Sequence, residues 1–292
     1  MRKYMPSTKV PGAVVSVSWL AQNRDAENIV ILEASIRPIG SPAPVVVENR
    51  RYIPNSIRFD IDDKICDHGS PLPHMMPGAD DFTAAIQRLG INQDSVVVAY
   101  DQIGIFSSPR AWWMLRSMGH DQVAVLDGGL PAWIQAGLET EGTLTQPTRI
   151  GNFKSNPRVE MFVDSDFVSA ALNQTSGSPA SDFRVIDARS AGRFKGVEPE
   201  PRSGMRSGHM PNAASLPASM VLQNGQLKSV AELQSIFARH QNKKLIFSCG
   251  SGVTACVLAL AAEQAGLKNL AVYDGSWSEW GALDSGRPVT TD

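Results

Sequence analysis

The stretch KLIFSCGSGVTACVLALAAEQAG, Lys244–Gly266, reads as strand, loop and helix in that order. KLIFS is a short apolar run, two glycines punctuate the loop, and a helix begins near Thr254 or Ala255 and stops at Gly266. The same order occurs earlier, in SVVVAYDQIGIFSSPRAWWMLRSMG, Ser95–Gly119. Each stretch is followed by a related segment, VAVLDGGLPAW in the first half and LAVYDGSWSEW in the second. Asp127 and Asp274, and likewise Trp133 and Trp280, lie 147 residues apart, whereas Asp101 and Cys249 lie 148 apart, so one residue of indel separates the two matches. Upstream, IVILEAS (Ile29–Ser35) resembles FRVIDARS (Phe183–Ser190), and RYIPNS (Arg51–Ser56) resembles GHMPNA (Gly208–Ala213). The chain is therefore a tandem repeat. Short apolar strands alternating with helical stretches make each copy an α/β unit with a mostly parallel sheet flanked by helices. The expected boundaries are 1–140 and 159–292, joined by a polar linker with Gly and Pro at 141–158. NQTSGSPASD (Asn173–Asp182) reads as a surface loop.

Composition narrows the function classes. The chain has 292 residues, enough for two domains with their own cores, and a net charge of -2. That balance gives no support to nucleic-acid binding. No apolar run approaches the roughly 20 residues of a membrane helix. The N-terminal stretch is too short and interrupted for a secretory signal, and poorer in Arg than a transit peptide, so a cytoplasmic protein is expected. Three cysteines, Cys66, Cys249 and Cys256, fit a reducing compartment.

Cys249 stands where the buried strand ends. Gly250 and Gly252 permit backbone angles closed to other residues, so the loop can turn several N–H groups inward beside a helix N-terminus. A thiolate, or an anionic sulfur attached to it, would be stabilised there. A buried structural cysteine is the bland alternative. The equivalent position in the first copy is Asp101, so the fold does not demand cysteine, and an acid there would repel an anion and silence that loop.

CGSGVTA, RFKGVEPEPRSG (Arg193–Gly204), GHMPNA and LDGGLPAW together resemble the tandem rhodanese-domain sulfurtransferases, and CGSGVTA resembles the active loop of their 3-mercaptopyruvate branch. The resemblance covers nearly the whole chain. It implies two rhodanese-like domains, the second catalytic, and a ping-pong reaction without cofactor. Cys249 takes sulfur from 3-mercaptopyruvate as a persulfide, pyruvate leaves, and a thiol such as thioredoxin, a small thiol or cyanide removes the sulfur. The thiosulfate branch has basic residues just after the cysteine; here they are Gly250 and Ser251. Thiosulfate sulfurtransferase and a non-enzymatic rhodanese-like redox or binding module are the alternatives. A phosphatase-type loop would need an arginine six positions after the cysteine, where Ala255 stands.

The resemblance maps two substrate arginines onto Arg193 and Arg202, with Gly250, Gly252, Val253 and Thr254 forming the substrate-binding loop. Planar guanidinium forks suit a carboxylate beside a ketone. Release of pyruvate passes through an enol or enolate and needs a proton managed, a task for the Ser251 hydroxyl if a base orients it. The resemblance supplies His74, in HMMPG, and Asp62, in RFDIDDK, with Asp63 a possible substitute for Asp62. Cys66, His68 and His74 lie near Asp60, Asp62, Asp63 and Asp67, but the spacing matches no standard zinc pattern and no metal is expected. His209 and Cys256 read as packing residues, Cys66 as an exposed thiol, Arg189 and Arg206 as structural or surface residues, and Trp277 as core or a border of the pocket.

Overall fold

A computed structural model describes residues 7–37, 50–175 and 182–292. The first half contains β1 (Val14–Val15), α1 (Val17–Asn23), β2 (Ile29–Glu33), β3 (Ile57–Arg58), α2 (Ala79–Arg88), β4 (Val96–Tyr100), α3 (Ser108–Ser117), β5 (Val123–Leu126) and α4 (Gly129–Gln135). The second contains β6 (Phe162–Val163), α5 (Ser165–Thr175), β7 (Phe183–Asp187), α6 (Ala191–Lys195) and β8 (Ala214–Ser215). It continues with β9 (Leu222–Gln223), β10 (Gln226–Leu227), α7 (Val230–Phe237), β11 (Lys244–Ser248), α8 (Ala255–Gln264), β12 (Leu270–Tyr273) and α9 (Ser276–Trp280).

Each half builds a five-stranded sheet with all neighbours parallel, in the orders β1-β5-β4-β2-β3 and β6-β12-β11-β7-β8. The two orders are the same path repeated, which is the tandem duplication made visible. Central strands β4 and β11 lie among neighbours on both sides and are almost wholly buried, so they carry near-continuous apolar runs. Both end at the residue of interest, Asp101 or Cys249, on the carboxyl edge of the sheet.

Helix α8 is apolar all round, and Ala255 through Ala262 are buried. Such a helix must be covered on every side. Its own sheet covers one face, and α3 of the first half covers another. One continuous cluster of buried residues joins Trp112 and Leu115 to Leu258 and Ala262. Arg116 pairs with Glu263 across the same helix contact at 2.5 Å. The halves are thus fastened through the helix that follows Cys249.

Residues 141–158 run along the first half and are tied to it. Phe153 is buried between Phe82 and His120, and the N–H groups of Gly151 and Phe153 donate to the carbonyls of Gln87 and Ile91. One expectation is corrected: Asn173–Thr175 are helical, forming the end of α5, and residues 176–181 of the expected loop lie outside the described residues. Asn173 and Gln174 are exposed, so their polarity marks the solvent side of a last turn.

Candidate active site

Cys249 follows β11 directly and is 2% exposed. Its backbone is held by the turn after β12: its N–H donates to Ser276 Oγ at 3.1 Å, and its carbonyl accepts from the Trp277 N–H at 3.0 Å. The loop then turns through Gly252, whose φ of +70 places it in the left-handed region. A side chain there would also meet the Asp274 carbonyl at 2.8 Å, so only glycine fits.

The first half shows what this kind of loop does. Asp101 is 1% exposed, and its carboxylate accepts from the N–H groups of Phe106, Ser107 and Ser108 and from both serine hydroxyls. Burial raises its pKa, while the hydrogen bonds from Ser107 and Ser108 pull the other way. The expected repulsion is therefore refined: the acid does not merely deter an anion, because its own carboxyl group already occupies the nest. Counted from the starts of α3 and α8, Val253, Thr254 and Ala255 hold the matching places. Among the described residues, no protein acceptor takes their N–H groups. The second copy keeps the nest and leaves it open beside a thiol.

Residues from the first half complete the site. Ser251 Oγ lies 3.0 Å from His74 Nδ1, and His74 Nε2 lies 3.1 Å from Asp62 Oδ1. Asp62 Oδ2 accepts from the Arg37 N–H at 2.9 Å. Burial raises the Asp62 carboxyl, but the hydrogen bonds from His74 and the Arg37 N–H outweigh it and hold the pKa below its ordinary value. Asp63, the possible substitute, is exposed and pairs with the Arg37 guanidinium at 2.6 Å instead. Both His74 nitrogens are thereby engaged, leaving none for a metal. Among the described residues, no group of three or more His, Cys, Asp or Glu side chains could hold one.

A cavity of about 280 Å³ opens over the cysteine, lined by Cys249, Gly250, Ser251, Arg193, Arg202 and Phe106 among others. The arginines differ. Arg193 spends Nε and one terminal nitrogen on Glu200, at 3.1 and 2.5 Å. Among the described residues, Arg202 has only a 3.5 Å contact to Ser251 Oγ. Burial lowers the Arg202 pKa, opposed by the Cys249 sulfur. The free planar fork is therefore that of Arg202, whereas Arg193 has one edge committed. Gly250 matters here, because a side chain at that position would point at Arg193 and Arg202, 3.4 and 3.6 Å away.

A rhodanese-like domain family matches residues 16–136 and again 169–283. The chain belongs to the tandem rhodanese-domain sulfurtransferases. It is 39% identical to a protein named 3-mercaptopyruvate sulfurtransferase from Escherichia coli strain K12, over 92% of this chain and 94% of that one. It is 37% identical to a protein named thiosulfate sulfurtransferase from Gallus gallus, over 92% and 93%. The solved structure of SseA, a 3-mercaptopyruvate sulfotransferase from Escherichia coli, superposes with a TM-score of 0.79 at 36% identity, covering 92% of this chain and all of that one. Both copies place this loop at the carboxyl end of the central strand, with Asp101 in the first and Cys249 in the second.

Other residues resolve as follows. Trp277 is fully buried beneath the Arg189 guanidinium, 4.0 Å from the ring centre, and does not line the cavity. Arg189 joins Asp187 and Glu200, and Arg206 clamps the carbonyls of Trp280, Gly281 and Arg287. His209 stacks on Phe194. Cys256 is buried, and Cys66 is half-buried rather than exposed, because its Sγ turns in toward the Asp62 carbonyl at 3.7 Å. Burial, with carboxylates around it, raises the Cys66 pKa. Arg110 was not singled out by sequence. It is fully buried on α3 and donates to the His74 carbonyl at 2.6 Å, the Gly252 carbonyl at 3.3 Å and Asp274 Oδ1 at 2.7 Å. Asp274 Oδ2 in turn accepts from the Met76 N–H at 2.8 Å. A cation directly beside the apolar run Ala111–Leu115 was the available signal: such a group, if buried, needs a partner.

Proposed function

We propose that the protein transfers the sulfur of 3-mercaptopyruvate through a persulfide on Cys249 to a thiol or cyanide acceptor, with Ser251, His74 and Asp62 managing the proton. The donor carboxylate lies against Arg202, with Arg193 beside it. The Cys249 thiolate attacks the donor sulfur, an S–S bond forms, and the C–S electron pair passes to carbon as the enolate of pyruvate. Ser251 donates a proton to the enolate and regains one from His74, whose ring is oriented by the Asp62 carboxylate at Nε2. The open N–H groups of Val253, Thr254 and Ala255 suit the outer persulfide sulfur as an anion, as Asp101 suits its own nest. An acceptor thiolate then attacks that sulfur, and Cys249 is regenerated. A cytoplasmic setting, where acceptor thiols are reduced, fits this cycle.

The observation that carries the donor choice is the Ser251 hydroxyl, hydrogen-bonded to His74 beside the cysteine. Sulfite leaves thiosulfate as a stable anion and needs no such proton. Ser251→Ala should therefore lower kcat/KM for 3-mercaptopyruvate by about 100-fold, the low end of general acid–base catalysis, and change that for thiosulfate by less than about threefold. Steady-state rates with both donors at matched acceptor make the test. A parent enzyme that prefers thiosulfate, or an equal loss on both donors, would overturn the reading.

A further inference from the structure

The duplication supplies an internal control for the catalytic loop. The turn after β5 reads Asp127-Gly128-Gly129-Leu130-Pro131, and the turn after β12 reads Asp274-Gly275-Ser276-Trp277-Ser278. One bond is common to both copies: the Leu130 N–H donates to the Asp101 carbonyl, and the Trp277 N–H donates to the Cys249 carbonyl. The residues on either side differ, and so does what they hold. Ser276 Oγ accepts from the Cys249 N–H and donates to the Tyr273 carbonyl at 2.8 Å. Ser278 donates to the Gly250 carbonyl twice, from its N–H at 2.8 Å and its hydroxyl at 2.7 Å. In the first copy Gly129 has no hydroxyl and Pro131 has neither an N–H nor a hydroxyl, so none of these bonds can form.

Ser276 also carries a backbone cost. Its φ is +50, while Gly129 at the matching place has φ +54. The turn demands the left-handed region in both copies, and the first copy meets it with glycine, which bears it freely. A side chain there is strained, and such strain persists where the surroundings use it. Ser276 is fully buried, and both hydrogen-bonding capacities of its hydroxyl are engaged.

We infer that Ser276 and Ser278 are positioning residues for sulfur transfer: a two-serine clamp, present only in the catalytic copy, that fixes the peptide planes on both sides of Cys249. These planes set the direction of the Cys249 side chain and the aim of the nest. The first copy binds no transferable group and does without the clamp. The inference rests on the reading of Cys249 as the sulfur carrier.

The test uses the full chain with Ser276→Gly, Ser278→Ala and the two combined. Single-turnover loading of Cys249 from 3-mercaptopyruvate is followed by mass spectrometry, with steady-state kcat and KM and the melting temperature. Loading and kcat should fall about five- to tenfold in each single variant, the scale of one lost hydrogen bond, with KM within about twofold of the parent. Ser276→Gly should melt at or above the parent, because it relieves the left-handed serine, so activity and stability move in opposite directions. Loading by the double variant within twofold of the parent rate would overturn the clamp while leaving Cys249 as carrier. So would slowing of Ser276→Gly matched by a lower melting temperature, the mark of a merely structural serine. A parent that loads no sulfur on Cys249 overturns the carrier reading, and the clamp falls with it.

Discussion

At the scale of single residues, charge and hydrogen-bond geometry decide the chemistry. The Arg202 fork is uncommitted, whereas Arg193 is tied to Glu200, so the two arginines are not equivalent for a donor carboxylate. Arg202→Lys keeps the charge but loses the planar fork. It should cost about 1.5–3 kcal/mol in kcat/KM for 3-mercaptopyruvate, the range for a hydrogen bond to a charged group, mostly as a rise in KM. A variant with parental KM would remove Arg202 from donor binding. Asp62 gives a pH signature. Its folded pKa lies below the ordinary value of 3.8, so its contribution to stability is present above that value and is lost as pH falls through the folded pKa. The stability difference between the parent and Asp62→Asn should therefore shrink below pH 3.8, and denaturant melts across that range measure it. A difference independent of pH there would mean that the Asp62 carboxylate is not engaged by His74 and Arg37 in the folded protein. The thiol, the glycines and the two arginines were legible in the sequence because one local motif holds each. The pairing of Arg193 with Glu200 was not, since it depends on how a Gly- and Pro-punctuated segment folds back on itself.

At the scale of elements, each half covers the other half's loop. Residues 74–76 lie over the Cys249 loop, where the Met76 N–H donates to Asp274. The β9–β10 hairpin lies over the Asp101 loop, where the Leu227 N–H donates to Asp127 and the Ile105 N–H donates to the Gly225 carbonyl. The two aspartates that mark the repeat in sequence thus receive the partner half's cap in structure. The sequence showed their correspondence but not this use, because the caps come from segments distant in the chain. Arg110 is the other element-scale feature. Burial lowers its pKa, but the Asp274 carboxylate outweighs that and the charge is kept. Its bonds to the His74 and Gly252 carbonyls tie the histidine segment to the nest. Arg110→Met leaves Asp274 buried without its cation, at a cost of about 3–5 kcal/mol. Adding Asp274→Asn should restore part of that loss, because the stranded charge is removed while an acceptor for the Met76 N–H remains. Urea melts of the parent, both single variants and the double give the coupling directly. A purely additive result would show that the pair does not hold the halves together.

At the scale of the whole molecule, duplication has separated two tasks that one fold could perform. The parallel sheet and the strand–loop–helix unit recur with the same strand order, and the sequence repeat was enough to read that architecture. The first copy fills its nest with its own carboxylate and lends His74, Asp62 and Arg110 to the interface. The second keeps its nest open beside Cys249. The buried face of α8 depends on α3, so the second copy needs its neighbour to cover the helix that follows Cys249. The resemblance led to the expectation that His74 and Asp62 of the first half meet Ser251 of the second, but the packing at that interface lay beyond the sequence because burial of Arg110 and all-round burial of α8 arise only when two separately patterned domains meet. In the proposed reaction Cys249 alone accepts the transferred sulfur, and the carbon fragment leaves as pyruvate. The chain is incubated with 3-mercaptopyruvate without acceptor, digested without reductant, and its three cysteine-containing positions are weighed while pyruvate is counted. The expected result is one added sulfur on the Cys249 peptide for each pyruvate released, with Cys66 and Cys256 unchanged and no pyruvate burst from Cys249→Ser. Pyruvate released by Cys249→Ser at the parental rate, or sulfur found on Cys66 instead, would contradict it.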